Sequence, residues 1–119
     1  MSTSILDSVK KTLGIDNEYL VFDPDILMHI NTAFSILEQI GIGPQNGFTV
    51  EDSFNSWSEV IGGDPRLNSV KTYVYLRVKL LFDPPVTSFL IAALQEQVRE
   101  LEWRLSTTRE VESWIPPVD

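Results

Sequence analysis

Apolar residues recur along the chain at helical spacing, in four stretches separated by breaks. The first covers residues 4–13 and the second covers residues 23–40. Apolar side chains returning every three or four positions are typical of helices with one buried face. Gly14 and Gly41 follow these stretches, and glycine commonly ends a helix because it adopts the left-handed conformation without strain. The pattern therefore predicts two helices in the first third of the chain.

The residues at the helix ends support these assignments. Lys10 and Lys11 lie in the last turn of the first helix, where a positive charge suits the helix dipole. Asp23 is predicted as the N-cap of the second helix, with Pro24 at its first position. The buried stripe of that helix is predicted to comprise Ile26, Ile30, Ala33, Phe34, Leu37 and Ile40.

The third stretch, residues 65–82 after a predicted N-cap at Asp64, is apolar around most of its circumference. One predicted stripe comprises Leu67, Val70, Val74, Val78 and Leu81, and a second comprises Tyr73, Leu76 and Leu80. A helix that is apolar on several sides is normally the buried one. We therefore predict that the third helix is central, and that Asp-Pro-Pro at 83–85 ends it in a rigid corner.

The fourth helix is predicted to run from residue 85 or 86 to about residue 109 and to have two different faces. Its core face is predicted to comprise Ile91, Leu94, Val98, Leu101 and Leu105. Its opposite face brings together Phe89, Ala92, Glu96, Glu100 and Trp103. A tryptophan among glutamates is not at a core position. Either the first helix covers Trp103, or Trp103 meets a neighbouring subunit.

Two longer segments connect these helices. Residues 15–22 are predicted to carry Tyr19 and Phe22 towards the core. Residues 41–64 are rich in Gly, Asn, Ser and Pro and are predicted as a loop with one helical turn at 56–61. A loop of this length is often functional. The plainer interpretation is that three aromatic residues in it close the end of the bundle, namely Phe48, Phe54 and Trp57.

The pattern as a whole predicts an all-α, four-helix bundle-like domain over residues 1–110 and an extended tail over 111–119. A chain of 119 residues suits one domain. The tail ends in Trp-Ile-Pro-Pro-Val-Asp, which is apolar for a free end and predicts docking on a partner. We expect no signal peptide, because the start of the chain has no long apolar region and no cleavage-like segment. We expect no membrane span, because no apolar run approaches about 20 residues.

The charge of the chain is −8 and unevenly distributed. Residues 1–65 contain ten acids and two bases, residues 66–82 contain four bases and no acid, and residues 83–119 contain seven acids and three bases. Nucleic-acid binding across the surface would need a basic footprint. A basic helix between acidic flanks more often indicates internal ion pairing.

Residues with catalytic or metal-binding chemistry do not form a recognisable constellation. The chain has no cysteine and one histidine, His29, so neither a thiolate site nor a catalytic triad is expected. Asp23 and Asp25 are explained by the start of the second helix, and Gly-Ile-Gly at 41–43 has no lysine after it. We therefore predict that the protein is not an enzyme and binds no cofactor or metal.

Five segments together resemble the head–tail connector proteins of tailed bacteriophages, which are also called adaptor or head-completion proteins. The most legible is KTYVYLRVKLLFDPP at 71–85, which is followed by ELEWRL at 100–105. The others are SILDSVKKTLGI at 4–15, DPDILMHINTAFSILEQIGIGP at 23–44 and FTVEDSFNSWSEVIG at 48–62. The resemblance spans nearly the whole chain.

The resemblance implies a structural virion protein, made in the host cytoplasm, that forms a ring of about twelve copies by heterologous contacts beneath the portal protein. The ring would extend the channel through which DNA passes without sequence-specific binding, and would receive a tail-side stopper or tail-completion protein. No membrane is involved. The residues predicted to contact the neighbouring subunit or the portal are Phe89, Glu96, Glu100, Trp103, Trp114, Ile115 and Val118.

The alternative hypothesis is a small helical regulator that binds nucleic acid through the third helix. Its candidate residues are Arg66, Lys71, Arg77 and Lys79. They point to different sides of an otherwise apolar helix, which disfavours one DNA-binding face. A steep dependence of duplex binding on salt would favour this alternative.

Overall fold

Five helices form the described part of the chain. The computed structural model describes residues 4–44, 47–62 and 68–113, the last six of these by their backbone alone. Within those ranges the helices are α1 (Ile5–Leu13), α2 (Asp23–Ile40), α3 (Ser58–Ile61), α4 (Ser69–Phe82) and α5 (Ser88–Ser113). No β-strand occurs there, only an isolated bridge between Ser4 and Ser56. The predicted all-α class is confirmed, and α3 is the helical turn predicted inside the long loop.

The predicted third helix, α4, lies at the centre of the bundle and packs against α1, α2 and α5. Val70, Tyr73, Val74 and Val78 are completely buried, so α4 contributes its core residues from two neighbouring sides. Leu81, placed on the buried stripe by its spacing, is half-exposed because it lies at the open end of the bundle. Asp64, Pro65 and Leu67, by which the start of this helix was predicted, lie outside the described residues.

The helices α1 and α2 end where the sequence predicts. Gly14 and Gly41 have φ angles of 77° and 97°, and each donates its backbone N–H to carbonyls in the last turn. The predicted stripe of α2 is buried from Ile26 to Leu37, with Ile40 half-buried at its end. The N-cap prediction for Asp23 is wrong. Phe22 occupies the N-cap position, and no side chain caps the helix.

The long loop places its three aromatic residues in three different environments. Trp57 is 3% exposed and lies in the core, and Phe48 packs half-buried against Phe34 with ring centroids 5.3 Å apart. Phe54 is 90% exposed, so the prediction that it closes the bundle is wrong. The Asp52 carboxylate accepts a hydrogen bond from the Phe54 backbone N–H, in a tight turn at the outer tip of the loop. That turn directs Phe54 outward.

The corner after α4 stops the helix as predicted, at Phe82. α5 begins two or three residues later than predicted, where Thr87 Oγ1 accepts a hydrogen bond from the Leu90 backbone N–H. It continues to Ser113 instead of ending near residue 109, so residues 111–113 of the predicted tail are helical. Of its predicted core face, Val98 and Leu105 are buried and the other members are half-buried. The boundary between domain and tail at residue 110 stays a prediction.

Candidate interaction surfaces

A buried lysine fixes the connector between α1 and α2. Lys10 is completely buried, and its Nζ donates to the backbone carbonyls of Asn17 (3.0 Å) and Tyr19 (2.8 Å). The same Nζ lies 2.8 Å from Oδ1 of Asp23, the first residue of α2. The ammonium group therefore donates two hydrogen bonds to the connector and forms an ion pair with the Asp23 carboxylate. The Asp23 carboxylate, assigned to helix capping by sequence, instead compensates this buried charge.

The connector exposes its apolar side chains because its carbonyls turn inward to Lys10. Leu20 and Val21 are 64% and 68% exposed, while Tyr19 and Phe22 are 49% and 37% exposed. The prediction that Tyr19 and Phe22 enter the core is therefore wrong. The Phe22 ring instead packs edge-on against Phe82 at the end of α4, with centroids 5.3 Å apart.

The corner between α4 and α5 exposes a second apolar group at the same end of the bundle. α4 ends here and α5 begins, and the Phe22–Phe82 contact joins this corner to the start of α2. We call the two groups together the apolar end. It comprises Tyr19, Leu20, Val21, Phe22 and Met28 from the first group. It also comprises Leu81, Val86, Phe89 and Leu90 from the corner.

The outer face of α5 is exposed, as its sequence pattern suggested. Trp103 is 68% exposed, so the interpretation that α1 covers it is wrong. Glu96 forms an ion pair with Arg99 (2.7 Å), and Glu100 forms one with Arg104, in both cases along the surface of α5 itself. Exposed pairs of this kind contribute about 0–1 kcal/mol each. This face therefore carries an exposed indole among side chains whose charges are locally balanced, and its role as an interface stays a prediction.

The inner face of α5 contacts α4 through a polar pair. The Tyr73 hydroxyl donates to the Glu102 carboxylate over 2.6 Å. Burial and this hydrogen bond raise the pKa of Tyr73 above its usual range, so the phenol stays protonated and keeps donating. The contact orients α5 on α4, and with it the outer face that carries Trp103.

The basic residues of α4 do not form a DNA-binding face in the part of the helix that the structure describes. Lys79 is paired with Asp83 at 2.8 Å, and the Nε atom of Arg77 is buried. Lys71 is half-buried on another turn. Arg66 lies outside the described residues. This arrangement gives the regulator hypothesis no coherent set of phosphate contacts.

The surroundings of His29 and of the acidic side chains can be described for the same part of the chain. His29 lies beside the Phe82 ring, at a centroid distance of 6.4 Å. Across residues 4–44, 47–62 and 68–113, no three His, Cys, Asp or Glu side chains are grouped so that they could hold a metal ion. In the same ranges, no helix has the length and apolarity needed to cross a bilayer.

The sequence pattern predicts the exposed α5 face but does not reveal the apolar end. Leu20, Val21 and Phe22 are three consecutive apolar residues, a pattern that fits a buried connector as well as an exposed one. The deciding signal would have been the pairing of Lys10 with this loop. The remaining predicted contacts, Trp114, Ile115 and Val118, lie outside the described residues.

Comparison with known proteins gives one positive result. Neither a search of curated proteins nor a search of solved structures returns a match. The family model described as phage connector protein matches residues 5–112, which includes all five helices up to the last turn of α5. Because the match covers nearly the whole chain, the protein belongs to the phage connector protein family.

Proposed function

We propose that copies of this protein assemble into a ring of about twelve beneath the portal of a tailed phage, using different faces on the two sides of each subunit. The ring extends the DNA channel and provides the platform for a tail-side stopper or completion protein. As a member of the connector family, the protein is a structural component of the phage head–tail interface that interacts with other head and tail proteins. The ring, its copy number and the channel are the proposed additions.

The observation that carries the ring proposal is the exposed indole on the outer face of α5. Trp103 is 68% exposed in the isolated subunit, and tryptophan is enriched at protein interfaces. A ring needs heterologous contacts, so each subunit must offer two different surfaces. The α5 face can supply one of these surfaces, because Trp103 on it is 68% exposed.

The acidic balance of the chain supports the channel proposal. A net charge of −8 repels the phosphate backbone, and the basic side chains described on α4 are paired or partly buried. A channel that lets DNA slide should avoid strong phosphate contacts. The same charge distribution disfavours the alternative role in nucleic-acid regulation.

Replacing Trp103 by Ala tests the ring. We expect the variant to remain folded with a loss below about 1 kcal/mol, because the side chain is mostly exposed. We also expect far fewer rings when it is mixed with the portal protein of the same phage. Electron microscopy of the mixture measures ring formation, and chemical denaturation measures monomer stability.

Phe54→Ala is the matched control, because Phe54 is an even more exposed aromatic residue and lies in the long loop, outside α5. We expect it to leave ring formation unchanged. Rings that form equally well with Trp103→Ala would contradict the assignment of this face. A wild-type protein that forms no ring on its portal would contradict the proposed function as a whole.

Deleting residues 114–119 tests the proposed portal contact of the tail. We expect the shortened protein to unfold at the wild-type denaturant concentration, because it keeps the five helices and every core residue found in the described part of the chain. We expect its affinity for the portal to fall by at least about tenfold, as loss of an aromatic anchor commonly does. Light scattering and sedimentation with purified portal measure the effect, and undiminished portal binding would refute this contact.

A further inference from the structure

The exposed apolar residues of the protein are concentrated at one end of the bundle. Nine of the eleven large apolar side chains that are exposed in the described residues belong to the apolar end. Val86 is 99% exposed and Phe89 is 79% exposed, which is unusual for a soluble domain unless a partner covers them. Of the other two, Phe54 lies on the long loop and Trp103 lies in the second half of α5.

The charged residues of this end are predominantly acidic. Residues 12–30 contain four acids and no lysine or arginine, and residues 80–95 contain Asp83 and no lysine or arginine. Lys10 is buried against Asp23, and Lys79 is paired with Asp83. One exposed base, Lys11, lines the same surface depression as Asp16 and Glu18. The rim of the apolar end therefore carries a net negative charge.

These charges distinguish between a second copy and a different protein as the occupant. Two copies that met through their apolar ends would bring their acidic rims together, which is unfavourable. The outer face of α5 in another copy offers little attraction to acids, because Arg99 and Arg104 are already paired with glutamates. A partner surface that is apolar and flanked by unpaired lysine or arginine matches both the apolar side chains of this end and its acidic rim.

We propose that the apolar end docks an apolar protein surface flanked by basic side chains, on a partner other than a second copy of this chain. This rests on the proposed connector function and names the chemistry of one of its contacts, on the portal or on the tail-side protein. The apolar side chains supply most of the affinity, while the acidic rim increases the association rate and excludes acidic partners.

The Lys10 contacts prepare this surface for binding. Two hydrogen bonds hold the backbone at Asn17 and Tyr19, and an ion pair holds the Asp23 side chain, while the apolar side chains of the connector remain in solvent. A loop that is already ordered loses little conformational entropy when a partner binds. The exposed conformation of Leu20 and Val21 is therefore a property of the folded subunit.

The test compares the double variant Val21→Ser/Val86→Ser with the matched control Phe54→Ser. All three residues are at least 68% exposed, so both variants are expected to fold. The net charge does not change, because valine, phenylalanine and serine are uncharged. The probes are purified portal protein, purified tail-side protein of the same phage, and two amphipathic helical peptides, one of Leu and Lys and one of Leu and Glu. Calorimetry measures the affinities, and sedimentation measures self-association.

We expect the wild type to bind the Leu/Lys peptide and one of the two phage proteins, and to bind the Leu/Glu peptide at least about tenfold more weakly. The double variant should lose at least about tenfold in affinity for that phage protein and for the Leu/Lys peptide, while Phe54→Ser should match the wild type. Raising the salt concentration should weaken wild-type binding, because charges at the rim are screened.

Equal binding of the double variant and the control would overturn the proposal. Loss of self-association with unchanged partner binding would also overturn it, since the apolar end would then join copies of this chain. If the wild type binds neither phage protein, the connector function fails. The peptide measurements then still decide whether the end selects apolar surfaces flanked by basic residues.

Discussion

Replacing Lys10 by Met is expected to lower the free energy of unfolding by about 3 kcal/mol, the lower end of the range for breaking a buried ion pair. Methionine fills most of the volume of the lysine stem, but it leaves the Asp23 carboxylate without its counter-charge and two backbone carbonyls without their hydrogen-bond donor. The Asp23 carboxylate is only 19% exposed, so water replaces the ammonium poorly. Denaturation in urea, followed by circular dichroism, measures the loss.

The neighbouring lysine provides the control for this prediction. Lys11 is exposed on the same turn of α1, and Lys11→Met is expected to change stability by less than about 0.5 kcal/mol. Adding Asp23→Asn to Lys10→Met should recover about 1 kcal/mol, because it removes the uncompensated negative charge. If Lys10→Met costs no more than Lys11→Met, the buried contacts of Lys10 do not stabilise the fold.

Lys10 also couples stability to the proposed docking surface. The residues whose carbonyls it holds belong to the connector that presents Leu20 and Val21. A subunit without this lysine should therefore retain the chemistry of the apolar end but lose its fixed geometry. We therefore expect this variant to bind the partner more weakly, because the connector must become ordered when the partner binds. Every apolar contact residue would still be present.

The helices of this protein could be predicted because their signals are local. Gly14 and Gly41 end helices whatever surrounds them, and prolines after Asp83 stop α4 within one turn. The central position of α4 also follows from the sequence, because apolar residues on two sides need cover from two directions. Tertiary contacts bury the apolar faces of these segments, but each segment remains the helix that its sequence predicts.

The connector and the loop could not be predicted because their conformations depend on distant partners. Lys10 at the end of a helix is normally solvated, and only the path of the following residues shows that its ammonium group meets two carbonyls. Phe54 and Trp57 are three residues apart in one loop, with no periodicity to say which is buried. The function came from the family resemblance, since interface residues on a structural protein carry no reaction chemistry.

Replacing Trp57 by Ala is expected to produce the largest loss of stability, about 4 kcal/mol, typical of truncating a buried aromatic side chain. The indole joins three helices. Its Nε1–H donates to Ser8 Oγ on α1 over 2.9 Å, and its ring packs 6.2 Å from Phe34 on α2 and 5.8 Å from Tyr75 on α4. The alanine variant leaves a cavity between these helices and removes the anchor of the long loop. Thermal and urea denaturation measure the effect.

Two further substitutions separate the packing of Trp57 from its hydrogen bond. Trp57→Phe keeps an aromatic ring but loses the donor to Ser8, so its expected cost is only about 1–2 kcal/mol. Phe54→Ala, in the same loop but 90% exposed, should stay within about 0.5 kcal/mol of the wild type. Equal losses for Trp57→Ala and Phe54→Ala would contradict the buried position of the indole. With the expected order of losses, the loop is an integral part of the bundle, because its buried indole connects α1, α2 and α4.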